Sequence, residues 1–201
     1  SRILQILLLK EDQNRITRSE IVLTSGIPNK QIENLTSMMT GFGLILPKIT
    51  KLTSFGKIVI QFDPYFEKTE TLWIIHYLVS SNPKWIVWYR LINEVLPAQD
   101  EFSVDQVSER YFLDLASQFS LRTMSEKLPT EVGAVFAAYS RSDLSRLEIL
   151  KVKENGKFLK TTPFRVPDLA FLYCLLVYRD KHLPGSSAIN IEDICFKEFS
   201  P

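Results

Sequence analysis

The stretch Gly26-Ile27-Pro28-Asn29-Lys30-Gln31 limits the chain more than any other, because glycine and proline together stop one helix and start the next. Gly26 offers the left-handed residue that ends a helix, and Pro28 pushes Ile27 out of helical backbone. Upstream, Thr17-Arg18-Ser19-Glu20 has capping-box spacing, with Thr17 as cap and Glu20 three residues on. Downstream, Asn29 is placed to cap a helix running to about Thr40. In it Ile32, Leu35, Met39 and Phe42 keep the spacing of one buried stripe. Residues 3–10 are apolar nearly all round and predict a buried first helix. Helix, short helix, tight turn, third helix is the order of a helix-turn-helix.

The residues after the third helix extend that pattern. Ile45 to Leu52 holds β-branched residues, a proline and two lysines, which predicts a short two-stranded wing. Leu52-Thr53-Ser54-Phe55-Gly56 resembles the Leu-Thr-x-x-Gly turn by which winged-helix domains leave the last wing strand, with Thr53 capping the next helix. The third helix turns Lys30, Gln31, Glu33, Asn34 and Ser37 away from its apolar stripe. Asn and Gln pair bidentately with adenine, and Lys contacts guanine or phosphate. Asn29, Lys30, Gln31 and Asn34 are therefore the residues expected at a groove of double-stranded DNA, with Lys48 and Lys51 on wing phosphates. The competing reading of the same residues is a three-helix scaffold used only for protein contacts.

Charge leans the same way. Over residues 1–62 eight bases stand against four acids, and over 63–102 three bases stand against six acids. The whole chain carries only +1, so a basic amino-terminal module on a neutral body is what a polyanion would meet. Random scatter of charge is the plain alternative.

Beyond residue 62 the chain changes character. Thr71 to Val79 and Pro83 to Val95 form two helical patterns around Ser80-Ser81-Asn82-Pro83, with Pro83 at the first helical position. Trp73, Tyr77, Trp85, Trp88 and Tyr89 make this segment aromatic, and rings at helical spacing are read as core ahead of a base-stacking platform. Ser103-Val104-Asp105-Gln106 caps a helix carrying Val107, Tyr111, Leu115 and Phe119, and Pro129 to Tyr139 makes another. Asn155-Gly156 between Leu147–Val152 and Lys157–Thr161 predicts a hairpin. Its Lys151, Lys153, Lys157 and Lys160 read either as a second basic wing or as a lysine-guarded edge. Pro167-Asp168 opens an apolar helix to about His182, and Asn190 is placed to cap a last one.

Catalytic chemistry has little to stand on. The two histidines, His76 and His182, are far apart, and no Gly-rich phosphate loop, nucleophile elbow or His-Glu-x-x-His motif occurs. Asp63, Glu67 and His76 make the one acid-plus-histidine group a nuclease would use, without a second carboxylate pair to hold metals. No catalytic residue, metal site or cofactor is expected, and the protein is read as not an enzyme. Cys174 and Cys195 sit in apolar surroundings without metal-binding spacing and read as reduced core residues of a cytoplasmic protein. No apolar run approaches a membrane span, and the start without Met is read as the sign of a fragment or of disordered segments left out. Oligomeric state leaves no mark in the sequence.

Gly26, Gly43-Leu44-Ile45, Leu52-Thr53 and Gly56, followed by Asp63-Pro64-Tyr65 and Thr71-Leu72-Trp73-Ile74-Ile75-His76-Tyr77, resemble the bacterial domain-of-unknown-function 4007 family. Ser81-Asn82-Pro83, Trp88-Tyr89, Asn93-Glu94 and Phe102-Ser103 continue the resemblance through most of the chain. Family members usually open with a Gly-His-(Glu/Gln)-Thr-Phe segment and a Trp-Leu-Lys stretch, both absent here, and they continue past residue 201. The link from Tyr139 to Leu147 is also shorter than in the family. The resemblance implies an accessory protein of DNA phosphorothioation or related defence clusters, with other proteins of such an operon as partners. It implies no catalytic residues.

Together these readings predict a mainly α chain. An amino-terminal winged helix-turn-helix would span residues 1–62, an aromatic helical connector 63–102, and a helical domain with a β-hairpin 103–201, the last a candidate second winged-helix-like unit. The expected function is non-enzymatic DNA binding in a modification or defence system, against a scaffold that docks a modification or restriction enzyme through the aromatic middle.

Overall fold

The computed structural model describes residues 2–12, 16–47, 51–162 and 165–196, apart from the side chains of Cys195 and Phe196. It is mainly helical with one small antiparallel sheet, and it divides into two compact units, Ser1–Val79 and Ser80–Pro201. The expected connector 63–102 contributes elements to both. Among the described residues no helix is long and apolar enough to cross a membrane.

In the first unit, α1 (Arg2–Leu9) buries Ile3, Leu4, Ile6 and Leu7. Helix α2 (Arg18–Ser25) begins where predicted. The Thr17 hydroxyl accepts from the Glu20 N–H at 3.3 Å, and the Glu20 carboxylate accepts from the Thr17 N–H at 2.7 Å. The Thr17 N–H and hydroxyl hold the Glu20 carboxyl below its ordinary pKa. Gly26 ends α2 at φ 69°, its N–H donating to the Val22 carbonyl.

Helix α3 (Asn29–Gly41) corrects one expectation. Asn29 is its first helical residue and not its cap; Pro28, at φ −57° and ψ 145°, holds the cap position without a side-chain bond. The proline ring already fixes the entry, and its carbonyl accepts from Gln31 and Ile32 at 3.0 Å each. Ile32 is fully buried, whereas Leu35, Met39 and Phe42 are only half-buried, so the predicted stripe is sealed at one end. The chain then doubles back. Ile45 pairs with Leu52 in a single antiparallel bridge, flanked by Leu46 N–H to the Lys51 carbonyl at 2.7 Å and Thr53 N–H to the Leu44 carbonyl at 3.0 Å. Residues 48–50 between them lie outside the described residues.

Helix α4 (Ser54–Phe62) starts at Thr53, whose hydroxyl accepts from the Gly56 N–H at 2.8 Å and donates to the Gly43 carbonyl at 2.5 Å. One side chain thus caps α4 and ties it to the end of α3. Helix α5 (Thr69–Ser80) carries the aromatic run, with Trp73 and Tyr77 buried as core residues.

In the second unit the first helix starts later than Pro83, the expected first position. Asn82 accepts from the Lys84 N–H with its side chain and from the Trp85 N–H with its carbonyl, folding Asn82–Trp85 into a turn. The helix therefore begins later than Pro83, at α6 (Ile86–Arg90). It widens through a π-helical turn over Leu91–Val95 and closes in α7 (Leu96–Ala98). Strand β1 (Glu101–Phe102) comes next. Helix α8 (Val104–Tyr111) has the predicted capping box of Ser103 and Gln106. It stops short of the expected Leu115 and Phe119, because the chain tightens into a 3-10 turn over Leu113–Ser117. Phe112 is buried and Phe119 stays exposed.

Helix α9 (Leu128–Arg141) is the axis of this unit and packs on α8. Strands β2 (Leu150–Val152) and β3 (Phe158–Lys160) form the predicted hairpin, with Gly156 at φ 78°. Strand β1 adds to β3, giving the order β1-β3-β2, a pairing the local sequence did not announce. Phe136 of α9 sits between Phe102 of β1 and Phe158 of β3, ring centroids 5.2 and 4.7 Å away. Trp88 meets Tyr139 edge-on at 5.4 Å. Helix α10 (Asp168–His182) buries Ala170, Cys174 and Tyr178. Burial pushes the Cys174 thiol up to about 12, so it stays protonated. Asn190 caps α11 (Ile191–Phe196) through the Glu192 N–H, as expected, while the Cys195 side chain lies outside the described residues.

Candidate nucleic-acid interface

The turn between α2 and α3 sets what the first turn of α3 presents. Pro28 supplies no side-chain bond to the first turn of α3, which carries the positive end of the helix dipole. Asn29, Lys30 and Gln31 are all exposed on this turn, and Asn34 is exposed one turn further along. No acid lies in the first turn of α3. The structure thus brings four of the six expected contact residues onto one helix end. Lys51 is half-buried on the return side of the bridge and borders a cleft. Lys48 lies outside the described residues.

Ion pairing concentrates the free charge of this unit. Glu33, the acid closest in sequence to the group, is held by Arg18 at 3.4 Å, Glu20 faces Lys10 at 3.9 Å, and Glu11 pairs with Lys57. Three of the four acids in residues 1–62 therefore spend their charge on bases other than Lys30 and Lys51. Those two lysines have no acidic partner among the described residues. Exposed pairs of this kind add little stability, but they decide where an incoming anion finds positive charge.

The hairpin lysines behave differently. Lys153 and Lys157 reach Glu101 at 2.5 and 3.4 Å, and Lys160 reaches Asp100 at 2.8 Å. These lysines pull the Glu101 carboxyl below its ordinary range, Lys153 most strongly. The two acids that engage these three lysines lie at or beside β1, so of the four hairpin lysines only Lys151 has no acidic partner among the described residues.

The acid-plus-histidine group has structural work. The Asp63 carboxylate is buried and accepts from the Glu67 N–H at 2.7 Å and the Lys68 N–H at 3.1 Å, closing the turn that feeds α5. His76 lies edge-on to Trp73, ring centroids 5.3 Å apart. Although part of its surface stays accessible, the loss of water around the ring pulls its pKa down to about 4 and keeps it neutral. Among the described residues no group of three or more His, Cys, Asp or Glu is placed to hold a metal.

Sequence reasoning missed Lys10 and Lys57 as neighbours of Lys51 around the cleft. They stand 41 and 6 residues from it in the chain, and no local motif joins the three.

Residues 33–201 match a family described as a protein of unknown function, DUF4007, and the chain belongs to that family. No curated protein and no solved structure matches it.

Proposed function

We propose, from this family membership and the charge distribution of the first unit, that the chain is a non-enzymatic DNA-binding accessory or regulatory protein of a bacterial modification or defence system. In this reading α2 and α3 are a helix-turn-helix and the Ile45–Leu52 pairing is the root of a wing. Asn29, Lys30, Gln31 and Asn34 meet the groove, while Lys48 and Lys51 meet phosphates. The observation that carries the reading is the first turn of α3. Its Asn29, Lys30 and Gln31 are exposed and polar, it holds no acid, and Lys30 has no acidic partner among the described residues while neighbouring bases are occupied. The defence setting comes from the family resemblance, and a cytoplasmic location from the reading of Cys174 and Cys195 as reduced thiols.

The test is fluorescence anisotropy with plain and phosphorothioated duplex at two salt concentrations. Salt-dependent binding that weakens in a Lys30→Glu, Lys51→Glu double variant, with a shallower salt slope, is the expected result. Unchanged affinity and slope in that variant would remove the interface. A preference between the two duplexes would report that the modification itself is read.

A second reading, a scaffold that docks an enzyme, draws on a different surface. The aromatic middle expected to serve it is turned inward, with Trp73, Tyr77 and Trp88 buried. Helix α10 instead leaves Leu169, Leu172 and Leu176 exposed along one side. Co-purification with neighbouring gene products, lost in a Leu169→Ser, Leu172→Ser variant and accompanied by no duplex affinity, would favour it.

A further inference from the structure

We infer that the first unit binds a small organic phosphate in the cleft beside the Ile45–Leu52 bridge. The cleft holds about 260 Å³. Leu7, Ile16 and Leu52, all buried, give it an apolar floor, and Lys10, Lys51 and Lys57 stand around it. Three ammonium groups over an apolar floor suit an anion that carries a ring or short hydrocarbon body. Neither a bare ion nor a neutral apolar molecule uses both parts. Lysine binds phosphate as a point charge and needs no bidentate geometry, so lysines from separate segments can serve one phosphate. The volume lies just below the roughly 300–1,000 Å³ of common ligand pockets, which suits a body no larger than a mononucleotide.

The lysines are not equivalent. Lys57 is engaged by Glu11, the one acid in the lining, and Lys10 faces Glu20 at 3.9 Å. Lys51 has no acidic partner among the described residues, so it is the charge an entering phosphate meets first. Lys51 is also a proposed DNA contact. A bound phosphate would neutralise it and weaken duplex binding, making the cleft an effector site. This regulatory consequence rests on the DNA-binding reading; occupancy of the cleft does not.

Binding measured without DNA separates the two. Isothermal titration calorimetry without DNA compares adenosine 5′-monophosphate, adenosine and inorganic phosphate on the full chain. Saturable binding of the monophosphate is expected, at least about tenfold tighter than either part alone, since one added charge-assisted contact is worth about a factor of ten. Lys51→Gln should weaken it about tenfold without moving the melting temperature. Lys10→Gln, at the half-exposed rim, should weaken it less and decides the matter if Lys51→Gln disturbs folding. Equal binding of adenosine and its monophosphate, no saturable binding, or affinity indifferent to both variants would overturn the site. Duplex anisotropy is then repeated with saturating monophosphate, where a loss of affinity supports competition. If the duplex never binds, the DNA reading fails while the calorimetry still judges the cleft.

Discussion

A β-carbon at Gly56 would stand 2.0 Å from the carbonyl oxygen of Leu44. The backbone of the bridge segment lies directly against the first turn of α4, and only glycine leaves room for it. The contact is with main chain, so no rotamer change relieves a clash. Gly56→Ala is expected to cost about 3 kcal/mol or more, at the upper end of overpacking effects. Gly156→Ala, in open space at φ 78°, provides the comparison and should cost only about 1 kcal/mol from its left-handed backbone. Urea denaturation of the two variants checks the ranking.

Thr53 fixes the same junction from the other side. Its hydroxyl serves as acceptor for Gly56 and donor to Gly43, so losing it leaves an α4 amide and an α3-end carbonyl unpaired together. Thr53→Ala should lower stability by about 2 kcal/mol, near the top of the range for caps, and Thr53→Ser should recover most of it. Thr17, an exposed cap, should cost about half as much on replacement by Ala. Equal losses at Thr53 and Thr17 would show that the Gly43 link contributes nothing.

His76 gives the fold a dependence on acid. Its pKa lies near 4 in the folded chain and near 6.5 in the unfolded one, so between these values the unfolded state binds the extra proton. Stability from this group is present above pH 6.5 and is lost as pH falls toward 4. The loss between pH 7 and pH 5 comes to about 2 kcal/mol. A His76→Gln variant should be less stable at neutral pH and show a shallower fall over that interval. Urea midpoints of both proteins at pH 7 and 5 measure the difference, and parallel falls would rule the histidine out as the cause.

The sequence was most legible where structure is made by residues three or four apart. Thr17 with Glu20, Ser103 with Gln106, the Gly26 stop and the Asn155-Gly156 turn are all local hydrogen-bonding or φ requirements, and all stand in the fold. Legibility failed where a distant partner decides. Pairing of β1 with β3 depends on Phe102 meeting Phe136 and Phe158, residues more than thirty positions away. Asn29 lost the cap position because Pro28 had already set the entry. The polar turn of α3 was readable from composition, but not that Arg18 would occupy Glu33 and leave Lys30 uncovered.

Arg90 organises a joint that no motif marked. It donates to the Tyr111 carbonyl, forks onto Asp114 at 2.5 and 2.6 Å, and lies over the Phe112 ring at 5.2 Å. Asp114 raises the Arg90 pKa, and Arg90 in turn lowers that of Asp114. A lysine keeps the charge but not the planar fork or the ring contact. Arg90→Lys should therefore cost about 2 kcal/mol. Asp114→Asn, on the exposed side of the pair, should cost less. A double-mutant cycle in urea tests whether the fork or the Tyr111 carbonyl carries the larger share.

Asn34 and Lys30 lie one helical turn apart on α3, yet they should fail in different ways. Lysine at a helix start acts chiefly through charge, so Lys30→Ala should weaken binding to every duplex alike and flatten the salt slope by about one. Asn34 carries no charge, and its amide can discriminate only by pairing with a base edge. Asn34→Ala should therefore leave the salt slope intact while reducing the ratio between preferred and random duplex by about tenfold, the equivalent of one lost bidentate pair. Binding selection on a randomised duplex library, followed by salt titration of both variants, makes the comparison. If Asn34→Ala flattened the slope and left selectivity alone, α3 would be held against the backbone and not within the groove.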